Sequence, residues 1–159
     1  MSSQKRQQSW SPRSWHISRF ANVQGMATAQ VTKDSIDLGI VVCDPEKSLA
    51  FYRDLLGFEP QGEMKMPGGG HMYRLLCGTT VLKLVKAPTD PAKAAGGGIN
   101  GACGYRYFTI SVSNLEEITA ACADAGHTIS VPPFEIRPGI TISIVEDPDG
   151  NLVEFLQIA

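Results

Sequence analysis

The sequence predicts an α+β fold built from two tandem βαβββ modules, on three observations: strand-period alternation from Ile36, the same order of elements after Tyr105, and a near-constant offset between equivalent positions. The pairs Asp37 and Tyr107, Asp44 and Asn114, Gly57 and Gly126, and Lys83 and Glu154 are separated by 70, 70, 69 and 71 residues. Unrelated caps and turns would not keep that spacing, so the two halves read as an internal duplication.

In the first half, Ile36, Leu38, Ile40 and Val42 alternate with Asp37, Gly39, Val41 and Cys43, the period of a half-buried strand. Asp44-Pro45-Glu46 supplies an N-cap, a proline at the first helical position and an acid near the positive helix end. The helix continues through Leu49, Tyr52, Leu55 and Leu56 and closes at Gly57. Strands follow around Glu59 to Lys65, His71 to Leu76 and Val81 to Val85, with glycine-bearing turns between them. The second half repeats the order. A strand from Tyr107 to Val112 leads to Asn114, which with Glu117 predicts a capping box, and a helix runs to Gly126. Strands near His127 to Val131, Ile140 to Val145 and Leu152 to Ile158 complete it, the last two joined by a tight turn at Asp147-Pro148-Asp149-Gly150.

This divides the chain into a leader (1–34) and one domain (35–159), with module 1 at about 35–86, a glycine-rich linker at 87–104 and module 2 at about 105–159. The leader is rich in Ser, Gln and Arg, and residues 1–33 contain no acid. The rest therefore holds nine basic and sixteen acidic side chains, a net charge of −7. Such a stretch buries too little surface to offset its ordering entropy, so it is expected to be disordered, or to precede a true start at Met26. Organellar import through residues 1–25 is the minor alternative. If the leader is ordered, Trp10 and Trp15 are its anchors.

Composition narrows the function. With 43% hydrophobic and 19% charged residues and no long apolar run, the chain reads as a globular protein without a membrane segment. A net charge of −2 and the lack of a basic, aromatic-interleaved stripe argue against nucleic acid. Four cysteines without CxxC spacing point to free thiols in a reducing, cytoplasmic setting. Gly96-Gly97-Gly98 lacks the strand, helix and lysine of a phosphate loop and reads as linker.

The run Asp37-Leu38-Gly39-Ile40-Val41-Val42-Cys43-Asp44, continued by Ser48 to Phe58, resembles the first module of the vicinal oxygen chelate superfamily, and Val145 to Phe155 resembles the close of its second. That superfamily includes glyoxalase I, extradiol dioxygenases and bleomycin-resistance proteins. The resemblance covers about residues 35–158 and implies a cleft where four positions, on the first and last strands of each module, bind a divalent metal. Here those positions hold Asp37, Lys83, Tyr107 and Glu154. A charged lysine has no lone pair and tyrosine is a poor ligand at neutral pH, so no cofactor is expected. If a metal binds, Asp37 and Glu154 are its ligands. Pairing of first and last strands would set Asp37 beside Lys83, as an ion pair, and Tyr107 beside Glu154, as a phenol-to-carboxylate hydrogen bond.

Two functions follow. In the first, a lyase or isomerase, Glu154 moves a proton next to a carbonyl while Lys83 or Tyr107 stabilises the oxyanion. In the second, the cleft sequesters an aromatic or antibiotic-like ligand without metal. Asp37, Arg74, Tyr73, Thr109 and His71 are the candidate substrate-binding residues. Of Tyr73 and Arg74, adjacent on one strand, only one faces inward. His127, after a helix-ending glycine, reads as a solvated turn residue. The resemblance also implies a homodimer.

Overall fold

The computed structural model of the protein describes residues 29–159. The chain divides into two units, Met1–Thr32 and Lys33–Ala159, and the fold below is that of the second. Trp10, Trp15 and His16 lie outside the described residues.

The order is β1 (Leu38–Val41), α1 (Pro45–Leu49) running into a π-helical turn (Ala50–Leu55), β2 (Glu59–Lys65), β3 (His71–Cys77), β4 (Thr80–Lys86), β5 (Tyr107–Ser111), α2 (Leu115–Asp124), β6 (Ile129–Arg137), β7 (Ile140–Glu146) and β8 (Leu152–Ile158). The βαβββ order thus occurs twice. Each module forms a four-stranded mixed sheet, β1-β4-β3-β2 and β5-β8-β7-β6, in which the first and last strands run parallel and the rest antiparallel. The expected fold class is the one observed.

Local chemistry explains most boundaries. Asp44 caps α1 by accepting from the backbone N–H groups of Glu46 and Lys47 at 3.1 and 3.2 Å. The helix then widens: Leu56 N–H donates to Phe51 O at 2.9 Å, five residues back, which turns Phe51 and Tyr52 together into the core. Gly57, at φ 75, ends it in a conformation that a side chain would strain. Asn114 departs from the expected capping box. Its side chain binds Glu117 at 3.3 Å, and the first helical N–H, that of Leu115, is met by the Gln157 side chain at 2.8 Å. The β6 strand runs six residues past its expected end because Pro132 and Pro133 sit on a sheet edge, where a missing N–H breaks no ladder.

One core joins both modules. Phe51, Tyr52, Leu82 and Leu84 of the first pack in the same cluster as Leu115, Cys122, Val153 and Phe155 of the second. Tyr52 stacks on Phe108, and Phe51 lies 4.5 Å from the ring of the half-buried His127, so His127 packs on the core instead of standing free in a turn. The turn at Asp147 to Asn151 ties the modules further. Asp147, only 4% exposed, accepts from the Tyr52 hydroxyl at 2.7 Å, from the N–H groups of Asp149 and Asn151, and from the Asn151 amide. The Asp149 carboxylate in turn accepts from Cys43 N–H. Burial, then the nearby Asp147, holds the Tyr52 phenol far above its ordinary value, so it donates at any working pH.

Burial also raises the Cys122 thiol from 9.0 to about 11. A raised folded value means the contribution of the neutral thiol is complete below pH 9 and is lost as pH climbs towards 11. Denaturant melts between pH 8 and 11 should show stability level to about pH 9 and falling from there towards 11, and Cys122→Ala should flatten the slope while lowering stability at neutral pH.

Candidate functional site

Strand register decides which side chains share a face. In the first sheet Leu38, Leu82 and Leu75 form one row and Ile40, Leu84 and Tyr73 another, both on the helix-covered face. Between them Gly39, Lys83 and Arg74 form a row on the opposite, open face. Arg74, not Tyr73, therefore stands with Lys83. Tyr73 packs against the core, and His71, on the same side of β3 as Tyr73, places its ring 4.6 Å from it and its Nε2 3.2 Å from Glu63. The two-residue period of β3 thus turns His71 and Tyr73 away from the face that carries Lys83. The expectation that they line one site with Lys83 is corrected.

Asp37 precedes β1 and reaches Lys83 diagonally, with Oδ2 3.0 Å from Nζ. Its other oxygen accepts from Lys33 Nζ and, at 3.3 Å, from Val81 N–H. These two lysines hold the Asp37 carboxyl far below the usual carboxylate range. The expected ion pair is present, enlarged by a second lysine that the strand pattern did not reveal.

In the second sheet the row on the face away from α2 is Thr109, Glu154 and Ile144, the last of them buried. Tyr107 stands opposite Leu152, two residues from Thr109, and is 48% exposed. The relation of Tyr107 to Glu154 repeats that of Asp37 to Lys83. Yet the hydrogen bond to the acid comes from Thr109, whose Oγ1 donates to Glu154 Oε1 at 2.9 Å. The expected phenol-to-carboxylate bond is replaced because Thr109 lies directly across the ladder. Gly39 is the counterpart of Thr109 in the first sheet, and a Cβ there would meet nothing within 4 Å, so space is left beside Lys83.

The remainder of the open face is largely apolar. Val41, Val85, Met72 and Met64 form one row, and Ser111, Leu156, Ile142 and Phe134 another. Val41, Met64 and Phe134 are 52%, 51% and 46% exposed.

The profile of the Glyoxalase/Bleomycin resistance protein/Dioxygenase superfamily matches residues 32–155. The chain belongs to that superfamily. Its structure is similar to the glyoxalase family protein from Bacillus cereus, with a TM-score of 0.72 at 16% identity, covering 84% of this chain and 99% of that one. It is also similar to the glyoxalase family protein from Enterococcus faecalis (TM-score 0.59, 22% identity, 80% and 96% covered) and to trypanothione-dependent glyoxalase I from Leishmania major (0.62, 24%, 76% and 84%). At these identities the likeness is one of fold. Comparison with curated proteins by sequence gives no match.

Members of the glyoxalase superfamily commonly hold a divalent ion at the four strand positions occupied here by Asp37, Lys83, Tyr107 and Glu154, and these side chains do not fit one. Both Asp37 oxygens are taken by ammonium groups, Lys83 has no lone pair, and an ion beside it would be repelled. Among the described residues no three His, Cys, Asp or Glu side chains gather into a metal-binding cluster. Among the described residues, too, no helix is long and apolar enough to cross a membrane.

Proposed function

We propose that this superfamily member acts on a small molecule at the open face by metal-independent proton transfer of the lyase or isomerase type, with Glu154 as the base. The observation that carries the reading is the state of Glu154: a half-buried carboxylate with one oxygen held by Thr109 and, among the described residues, no cation paired with it. Glu154 takes a proton from the carbon next to a substrate carbonyl; the electron pair of that C–H bond forms a C=C bond as the carbonyl π pair moves to the oxygen. Lys83, with one donor spent on Asp37, has two left for the oxyanion, and Tyr107 supplies a phenol at the edge. Returning the proton to a neighbouring atom gives an isomer, and expelling a leaving group gives a lyase product. Arg74, exposed beside Lys83, suits a substrate carboxylate or phosphate. The test is Glu154→Gln, which should lower turnover by about 100-fold or more and retain affinity.

The exposed apolar side chains Val41, Met64 and Phe134 favour a second reading, sequestration of an aromatic or antibiotic-like ligand without turnover. In that case Glu154→Gln has no turnover to remove.

We further propose a homodimer in the cytoplasm. The four cysteines are free, in keeping with a reducing compartment, and the edge strand β2 is exposed along its whole length, as are Phe134 and Ile136 on the edge strand β6. Sedimentation should give a dimer at micromolar concentration, and a species that stays monomeric at the highest soluble concentration would contradict it.

A further inference from the structure

Among the described residues each sheet leaves one strand edge unpaired between the modules, since β1 pairs only with β4 and β5 only with β8. A cavity of about 370 Å³ opens at this seam. Phe58 and Leu82 wall it from module 1 and Phe108 and Ile110 from module 2, while Thr79, Thr80, Thr109 and Ser111 add hydroxyl-bearing residues. None of the residues lining it is charged. A charged group seated there would give up hydration with no counter-ion, whereas an apolar body gains by burial against Phe58, Leu82, Phe108 and Ile110. The volume is that of a small-molecule pocket.

Thr109 belongs to both places. It lines the cavity, and its hydroxyl donates to Glu154 at 2.9 Å. A molecule lodged in the cavity therefore ends against the residue that holds the proposed base.

We infer that the seam cavity is the specificity pocket: it takes a neutral aromatic or alicyclic substrate body and rejects a charged one. The word substrate rests on the proton-transfer reading, but binding in the cavity does not. Two dyes sharing one ring system test it, neutral N-phenyl-1-naphthylamine and its sulfonated counterpart 1-anilinonaphthalene-8-sulfonate, titrated by fluorescence against the full chain. The neutral dye should bind at one site per chain, and the sulfonate at least about tenfold more weakly. Ser111→Trp, which fills the cavity from an exposed strand position, should weaken the neutral dye by about tenfold or more. Cys77 also lines the cavity, so the neutral dye should slow its alkylation by N-ethylmaleimide, followed by peptide mass spectrometry. That readout stands even if Ser111→Trp fails to fold. Equal affinity for both dyes, or an unprotected Cys77 at saturating dye, would overturn the inference. Neither dye carries a C–H next to a carbonyl, so Glu154→Gln should bind the neutral dye normally, and its loss of turnover bears on the proton-transfer reading alone.

Discussion

Asp147→Ala should be the most destabilising single substitution at the junction of the two modules, costing about 3 kcal/mol or more. The side chain is 4% exposed and accepts four hydrogen bonds, so its removal leaves the wholly buried Tyr52 hydroxyl and the N–H groups of the turn without their acceptor. The corresponding fall in melting temperature is on the order of 10 °C for a domain of this size. Tyr52→Phe removes only one donor and keeps the ring that stacks on Phe108, so it should cost less, about 1.5 kcal/mol. The double variant should lose less than the two single losses together, because the unsatisfied hydroxyl is then gone as well. Thermal melts of the three proteins measure this directly. Strict additivity would mean that the Tyr52 to Asp147 bond does not couple the modules.

Glu154→Gln should lower turnover by about 100-fold or more while ligand affinity stays within a few-fold. The amide has nearly the shape of the acid and can still accept from Thr109, so the local geometry is kept. What it lacks is basicity, since a neutral amide takes no proton near neutral pH. Thr109→Val is the informative companion. It removes the donor that orients Glu154 without touching the acid, so turnover should fall by a smaller factor. Comparison of kcat and KM for wild type and both variants gives the answer. A Glu154→Gln protein with unchanged turnover would remove the acid from the mechanism.

The fold was legible because its cues are local. Strand alternation at Leu38 to Val42, the cap at Asp44 and the glycines at 57 and 126 each act over a few residues, and their recurrence at an offset near 70 turned local cues into a duplicated architecture. The site was legible in part. The facing of Lys83 and Glu154 followed from the two-residue period, but Tyr73 and Arg74 could not be separated without the hairpin register, which the bulge in β2 between Pro60 and Glu63 obscures further. The choice of Thr109 over Tyr107 as partner of Glu154 depends on which residue lies across the ladder and which lies diagonal to it. Asp147 read only as a turn residue. Its burial depends on Tyr52, 95 positions earlier, and on a widened helical turn that the Leu49, Tyr52, Leu55 and Leu56 spacing does not signal. Lys33 lies only four residues before Asp37, and the bends between them, which strand alternation does not describe, bring the two side chains together.

Metal-independent proton transfer requires that Lys83 and the engaged Asp37 leave no seat for an ion. Metal content of the full chain, purified without chelator and measured by mass spectrometry of the elements, tests it most directly. The account predicts substoichiometric divalent metal and turnover or binding indifferent to EDTA, whereas one tightly held divalent ion per chain, lost together with function on chelation, would contradict it.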